Sequence, residues 1–195
     1  MLRNTQRNDI GAAYFDMITA AGSSLTTGVV NTTSGGTEIQ WTQTAGGTLI
    51  QWVSGEVPSG GFTLSGLMTF NIWALESNNL ANCGARVRVY KRTLAGIETE
   101  VTGGPWDKGA EFGTAAAVQN WTGTPTIGVA FLAGDRLLVK YFITNIGTMG
   151  SGRTCTIDFN GGTGGSDGDS YLQINETIAF LAEPNSGLLM LGVGF

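Results

Sequence analysis

Four oxygen-bearing side chains lie in or beside one glycine-rich stretch: Asp158, Asn160, Asp167 and Asp169. Oxygen ligands on a loop are what Ca²⁺ requires, and clustered carboxylates repel one another when no cation is present. The spacing differs from that of an EF-hand, however, and Asp and Asn in such loops commonly bond the backbone N–H groups of turns. We therefore predict that these four residues stabilise turns and form no metal site. They are the candidate ligands if a metal does bind.

A second acidic pair could act in acid–base catalysis. Glu98 and Glu100 share one face of a predicted strand, which is compatible with the roughly 5–9 Å between the carboxyl groups of glycosidases. A catalytic acid must be buried to raise its pKa, whereas charged residues on an edge strand discourage aggregation between sheets. The chain also has no histidine, which excludes Ser-His-Asp, Cys-His and His-zinc chemistry. We predict no enzymatic activity and no cofactor.

Four of the ten basic residues lie close together in an otherwise acidic chain: Arg86, Arg88, Lys91 and Arg92. Arg86 and Arg88 must share a face because side chains alternate along a strand. Two interpretations stay open. The strand is either an interface for an acidic partner, where charge sets the register of docking, or an ordinary solvated strand. We predict these four as interface residues.

Tryptophan side chains can stack on sugar rings or fill a core. Trp106 and Trp121 lie in sequence typical of loops, which makes them the candidates for exposed contact with a glycan. Trp41 and Trp52 lie on the two strands of a predicted hairpin, where they are expected to pair.

Cys83 and Cys155 are the only cysteines. They could form one disulfide if their Cα atoms lie within about 7 Å. Cys155 alternates with Ile157 and Phe159, which places it on the apolar face of its strand, where cysteine behaves as a small hydrophobe. We interpret the pair as two buried thiols.

The composition narrows the class of protein. Of the 195 residues only 13% are charged, about half the roughly 25% of a typical domain, and 31 are glycine. The net charge of −5 and the pI near 4.6 argue against binding nucleic acid by neutralising phosphates. No stretch approaches the roughly 18 apolar residues of a membrane span. We expect neither nucleic acid nor a membrane as a partner.

Alternation of apolar and polar residues indicates roughly eight or nine short strands separated by turns. The clearest are 86–91 and 137–144, each beside a glycine-containing turn, and strands at 38–42 and 48–53 are predicted to form a hairpin. This pattern predicts an all-β fold, an antiparallel β-sandwich.

Three regions are predicted along the chain. Residues 1–37 form an extended arm with one or two helical turns near 11–21, residues 38–185 form the sandwich, and residues 186–195 form an apolar tail. The tail has no charge and must dock against the domain or another chain. Its predicted interface residues are Leu188, Leu189, Met190, Leu191, Val193 and Phe195.

Turn and strand sequences between residues 60 and 182 resemble a jelly-roll module of tailed-bacteriophage virion proteins. The resemblance is carried by Gly134–Tyr141, by the Thr-rich strand Arg153–Phe159, by the loop Asn160–Gly165, and by Asp167–Leu172 and Asn175–Phe180. It implies a sandwich of jelly-roll type, a place in the virion after assembly in the host cytoplasm, and a homo-oligomer, commonly a trimer.

We therefore predict a non-enzymatic virion protein, specifically a capsid decoration protein that stabilises the head by binding neighbouring subunits. Its partners would be the major capsid protein or other virion subunits. The alternative is a tail, collar or fibre component, such as a glycan-binding module that uses Trp106, Trp121 and the loop around Asp167.

Overall fold

The computed structural model describes residues 2–4, 13–18, 27–31, 39–44, 49–54, 56–57, 59–148, 150–159 and 170–176. Within these residues the regular secondary structure is entirely β. The strands are β1 (Leu2–Asn4), β2 (Ala13–Ile18), β3 (Thr27–Asn31), β4 (Ile39–Gln43), β5 (Leu49–Val53), β6 (Phe62–Leu64), β7 (Met68–Glu76), β8 (Cys83–Arg92), β9 (Glu98–Glu100), β10 (Trp106–Asp107), β11 (Ala117–Gly123), β12 (Val129–Phe131), β13 (Arg136–Asn145), β14 (Cys155–Phe159) and β15 (Tyr171–Ile174). No helix in this part of the chain is long and apolar enough to cross a membrane.

The main sheet runs in the order β10-β8-β13-β5-β3-β1-β2-β15-β7-β14-β4, with β9 also paired to β8 and β11 to β7. We call β5, β8, β9, β10 and β13 the β8 half, and β4, β7, β11, β14 and β15 the β7 half. The strands β1 to β3 lie between them, and β6 and β12 form a separate pair. Consecutive strands such as β4 and β5 fall in different halves, as expected of a jelly roll. Pairing is antiparallel except at β1–β3 and β3–β5, which are parallel.

The core lies between the two halves. Trp121 of β11 meets Tyr141 of β13 edge-on, with ring centroids 6.3 Å apart, and Phe70 of β7 lies 5.8 Å from Trp106 of β10. Each contact joins a strand of the β7 half to a strand of the β8 half, so the two halves pack face to face. The prediction of an all-β sandwich is confirmed.

The best-predicted strands are β8 and β13, which pair along their whole length. Val87 and Val89 are fully buried on β8, as the alternation predicts. Glycines at positive φ lie within the turns beside these strands: Gly96 between β8 and β9, and Gly134 before β13. Period-2 patterning and local turn chemistry thus act together here.

The two cysteines form a disulfide. Cys83 of β8 and Cys155 of β14 are bonded, with Cα atoms 5.8 Å apart, and both are fully buried. The interpretation as free thiols is therefore wrong, although their burial was predicted correctly. Strand alternation reports which face a residue occupies, and it does not report which residue faces it across the core. The bond ties the β8 half to the β7 half.

The predicted hairpin of β4 and β5 does not form. Trp41 of β4 lies opposite Ile157 of β14, whereas Trp52 of β5 lies opposite Val139 of β13. The predicted Trp41–Trp52 pair is therefore wrong, even though both rings are buried. Each strand has an apolar face that a partner distant in sequence covers, and those pairings outweigh the local turn.

The N-terminal region contributes strands to the main sheet. Residues 13–18 form β2, so the helical turns predicted near residues 11–21 are wrong for this segment. Here β2 pairs with β15, and β3 pairs with β5. The boundary at 37/38 stays a prediction, and the predicted tail, residues 186–195, lies outside the described residues.

Candidate interaction surface

The predicted basic strand is β8. Its outward-facing arginines form ion pairs with acidic residues of the neighbouring strands. We call the outer surface of β8, β9, β10 and β13 the charged face. The charged residues that pair with one another across its strands are Arg86, Arg88, Arg92, Glu98, Glu100, Asp107 and Lys140. These pairs join four cations to three carboxylates within this chain.

The first ion pair, between Arg86 and Asp107, is bidentate. Arg86 donates from Nε and Nη2 to the two carboxylate oxygens of Asp107, at 2.6 and 2.8 Å. The register of β8 and β10 produces this geometry, because Arg86 lies directly opposite Asp107. The Arg86 hydrogen bonds hold the pKa of Asp107 below its usual value, and the same contact raises the pKa of Arg86.

The second group of polar contacts is formed around Glu100. It accepts hydrogen bonds from Arg88 at 3.3 Å and from the Tyr90 hydroxyl at 3.4 Å. The Arg88 guanidinium also lies 5.8 Å from the centre of the Phe142 ring of β13. A planar cation between a carboxylate and a ring is held in one orientation, which favours a rigid surface.

The third group of ion pairs is formed around Glu98. One carboxylate oxygen accepts a hydrogen bond from Lys140 at 2.6 Å, and the other lies 3.7 Å from Arg92. The Lys140 ammonium lies 4.4 Å from the centre of the Tyr90 ring. Glu98 and Glu100 do share a face, as predicted, but each is bound to cations of adjacent strands. These ion pairs favour a structural role for the two glutamates over acid–base catalysis.

Lys91 departs from the other three basic residues. Strand alternation turns it to the opposite side of β8, where it donates a hydrogen bond to the carbonyl oxygen of Ala130 at 3.2 Å. The structure thus groups Arg86, Arg88 and Arg92 on one face and separates Lys91 from them. Their role in an interface stays a prediction.

The acidic loop is described only at its start. Asp158 lies in β14 between β7 and β4, with 1% of its surface exposed, and its carbonyl oxygen accepts a hydrogen bond from the Ser170 hydroxyl. Asn160, Asp167 and Asp169 lie outside the described residues. Within the described ranges no three His, Cys, Asp or Glu side chains come together as a metal site. The metal candidates therefore remain untested as a group.

Of the two tryptophans predicted to be exposed, one is buried and the other is partly buried. Trp106 is 8% exposed, and its ring fits against Gly104 and Gly123, which have no Cβ to obstruct it. Trp121 packs against the core while partly buried and donates its indole N–H to the carbonyl oxygen of Trp106 at 3.3 Å. The prediction of an exposed contact is therefore wrong for Trp106, and a glycan contact at Trp121 stays a prediction. Their sequence is loop-like, but β10 and β11 place both rings between the halves.

Sequence reasoning missed three charged residues on or beside the charged face. Lys140 on β13, Asp107 on β10 and Glu56 beside β5 each form an ion pair with a residue distant in sequence. Alternation along residues 137–144 could have identified Lys140 as an outward cation. Nothing local could have identified Asp107, because its partner is set by the register of β10 on β8.

No protein-family model matches the chain, and no curated protein matches it. Solved structures do. A CocE/NonD family hydrolase from Staphylococcus aureus overlays with a TM-score of 0.56 at 14% identity, over 86% of this chain and 37% of that chain. An aminopeptidase from a marine-sediment Thaumarchaeota archaeon overlays with a TM-score of 0.57 at 8% identity, over 84% of this chain and 36% of that chain. At these identities the likeness shows the fold alone, and this chain spans little more than a third of either structure.

A viral structure is also found, at lower similarity. The infectious bursal disease virus Gx strain overlays with a TM-score of 0.32 at 12% identity, over 75% of this chain and 35% of that chain. A likeness at this level carries no argument about function. The comparisons therefore support the β-sandwich and leave the biological role to be argued from the residues.

Proposed function

We propose that this chain is a non-enzymatic structural protein of a bacteriophage virion, a capsid decoration protein that stabilises the head by binding neighbouring subunits. The observation that carries the proposal is the charged face. The candidate acid–base residues Glu98 and Glu100 are bound there to Arg88, Arg92 and Lys140. Residues that could do chemistry instead link three strands, β8, β9 and β13, into one surface.

A rigid scaffold suits a protein that works by contact. The disulfide between Cys83 and Cys155 joins the two halves, and β8 is hydrogen-bonded on both sides by β13, β9 and β10. A surface that is ordered before binding loses less entropy when it docks. The resemblance of residues 60–182 to phage jelly-roll modules supports the virion as the setting.

The two hydrolytic enzymes that share the fold do not alter this proposal. They are matched over little more than a third of their chains at 8–14% identity. A shared sandwich does not transfer an activity, since function resides in sites grafted on a fold. This chain has no histidine with which to form the common hydrolytic triads.

The partners follow from the same proposal. A decoration protein binds the major capsid protein or adjoining head subunits in the assembled virion. Self-association, with a trimer as the form implied by the jelly-roll resemblance, would present several copies of the charged face together. Multivalent attachment of that kind strengthens binding without new contacts.

Copy number in purified particles tests the proposal. Quantitative mass spectrometry of phage particles purified from cells that express this chain, with the major capsid protein as the internal standard, should give hundreds of copies per particle. A handful or a dozen copies would instead support the tail, collar or fibre alternative. Absence from the particles would overturn the virion role.

A further inference from the structure

A cavity of about 360 Å³ lies at one end of the charged face, where the β8–β9 turn meets the segment after β5. Its volume is within the range of sites that hold small ligands or single side chains. The lining residues are Val53, Glu56, Arg92, Thr93, Leu94, Gly96 and Arg136. Two cations and one carboxylate thus share a space with two aliphatic side chains.

The two arginines differ in how firmly they are held. Arg136 donates to the carbonyl oxygen of Ser54 at 3.0 Å and to the carboxylate of Glu56 at 2.7 Å. Arg92 lies 3.7 Å from Glu98, beyond hydrogen-bond distance, and Glu98 is bound more closely by Lys140. The Arg92 side chain is 42% exposed, and its guanidinium therefore keeps donors for a ligand at the edge of the cavity.

An apolar surface adjoins this cation. Leu94 is 77% exposed at the tip of the β8–β9 turn, and a Cβ added at Gly134 would lie 3.9 Å from its side chain. The turn before β13 therefore abuts the leucine, and that turn carries a second exposed leucine, Leu132. A ligand that fits must bring a negative charge for Arg92 and an apolar group for Leu94.

We propose that this cavity binds an acidic peptide segment, with a carboxylate on Arg92 and a neighbouring aliphatic side chain on Leu94. Charge complementarity selects a carboxylate, which accepts the planar guanidinium in a bidentate manner. The exposed leucines select a peptide rather than a free anion, because a free anion would leave them in water. The inference rests on the proposed function, in which a neighbouring virion subunit supplies the segment.

The test uses the whole purified chain and a defined probe. An acetylated, amidated pentapeptide with one glutamate between two leucines is titrated into ¹⁵N-labelled protein, and amide shifts are followed by NMR. We expect saturable shifts at Arg92, Leu94 and Gly96, weakened by added salt. The same peptide with glutamine in place of glutamate should bind about tenfold more weakly, since a charge-assisted hydrogen bond is lost.

Matched variants locate the site. Arg92→Gln should weaken binding of the glutamate peptide about tenfold, and Leu94→Ser should weaken both peptides. Lys108→Gln is the control, because it removes one positive charge next to β10, which pairs with β8 at Arg86 and Val87, at the other end of that strand from Arg92. It should leave the affinity unchanged. Leu94 and Arg92 are exposed enough for both variants to fold.

Three outcomes would overturn the inference: equal affinity for the glutamine peptide, unchanged affinity of Arg92→Gln, or tighter binding of glutarate or inorganic phosphate than of the peptide. The last would indicate a site for small anions. The proposed function is judged separately by copy number in particles. Peptide binding by a protein absent from virions would refute only the virion role, and virion membership without peptide binding would refute only this site.

Discussion

The carboxylate of Glu76 accepts a hydrogen bond from the backbone N–H of Cys83, at 3.1 Å, beside the disulfide that joins the two halves of the sandwich. Glu76 ends β7 and lies opposite Cys155 in the pairing with β14. One buried acid thus contacts one cysteine of the bond and faces the other. Two predictions about stability depend on this arrangement.

Removal of the disulfide should destabilise the sandwich strongly. The bond closes a loop with a sequence separation of 72 residues, and its loss in the double variant Cys83→Ala, Cys155→Ala should lower the free energy of unfolding by about 4 kcal/mol. Urea denaturation followed by tryptophan fluorescence measures the change. A reducing agent should lower the stability of the parent and leave that of the double variant unaltered. Equal stability of the parent with and without reductant would contradict the prediction.

The stability contribution of Glu76 should depend on pH. Desolvation by burial raises the pKa of Glu76, and the nearby Glu111 raises it further. Because the folded pKa lies above the unfolded value, this contribution is fully present below the unfolded pKa and is lost as the pH rises through the folded pKa. Glu76→Gln should therefore gain stability relative to the parent as the pH rises above the ordinary glutamate pKa of 4.5. Denaturation at a series of pH values measures this difference.

Glu111→Gln is the matched control for that pH dependence. Removing the neighbouring charge should lower the folded pKa of Glu76, so the loss of stability with rising pH should be smaller than in the parent and should end at a lower pH. A Glu76→Gln variant whose difference from the parent is constant across the pH series would refute the assignment.

Tyr141→Phe should leave the protein as stable or make it more stable, by about 1 kcal/mol. The Tyr141 hydroxyl is fully buried and has no hydrogen-bond partner among the described residues, and burial raises its pKa. Removing an unsatisfied polar group while keeping the ring preserves the edge contact with Trp52 and removes a desolvation penalty. Thermal and urea unfolding measure the effect. Tyr90→Phe, which loses a hydrogen bond to Glu100, should not be stabilised, and a large loss in Tyr141→Phe would indicate a partner for its hydroxyl.

Gly123→Ala should destabilise the protein by about 1–3 kcal/mol, because the added methyl group would overlap the ring of Trp106 in a filled core. Gly109→Ala is the control, since a Cβ at that position meets open space. Chemical denaturation of both variants measures the difference. If Gly123→Ala were as stable as Gly109→Ala, the position of the Trp106 ring between the halves would be wrong.

The elements that could be predicted are those specified by neighbouring residues. Alternation identified β8 and β13 and the inward direction of Val87 and Val89, because side chains in a strand alternate whatever its partner is. Glycine turns located the ends of these strands for the same reason. By contrast, the loop-like sequence around Trp106 and Trp121 concealed β10 and β11, whose register is set by β8 and β7.

Only part of the candidate surface could be predicted from the sequence. The shared face of Arg86 and Arg88 follows from spacing, but the ion pairs do not, because Asp107 reaches Arg86 only through the register of a two-residue strand. The cavity beside Arg92 likewise requires the β8–β9 turn and the β5 segment to meet at one end of the sandwich.

The sequence by itself therefore determined an all-β chain without histidine chemistry, with short strands whose apolar faces are known. Only the tertiary structure decided which strands pair, that Cys83 bonds Cys155, and that Trp41 and Trp52 belong to different halves. The physical reason is the range of the interactions. Alternation and turn preference act over a few residues, whereas burying two apolar faces against each other depends on the whole chain, so many strand orders satisfy the same local pattern.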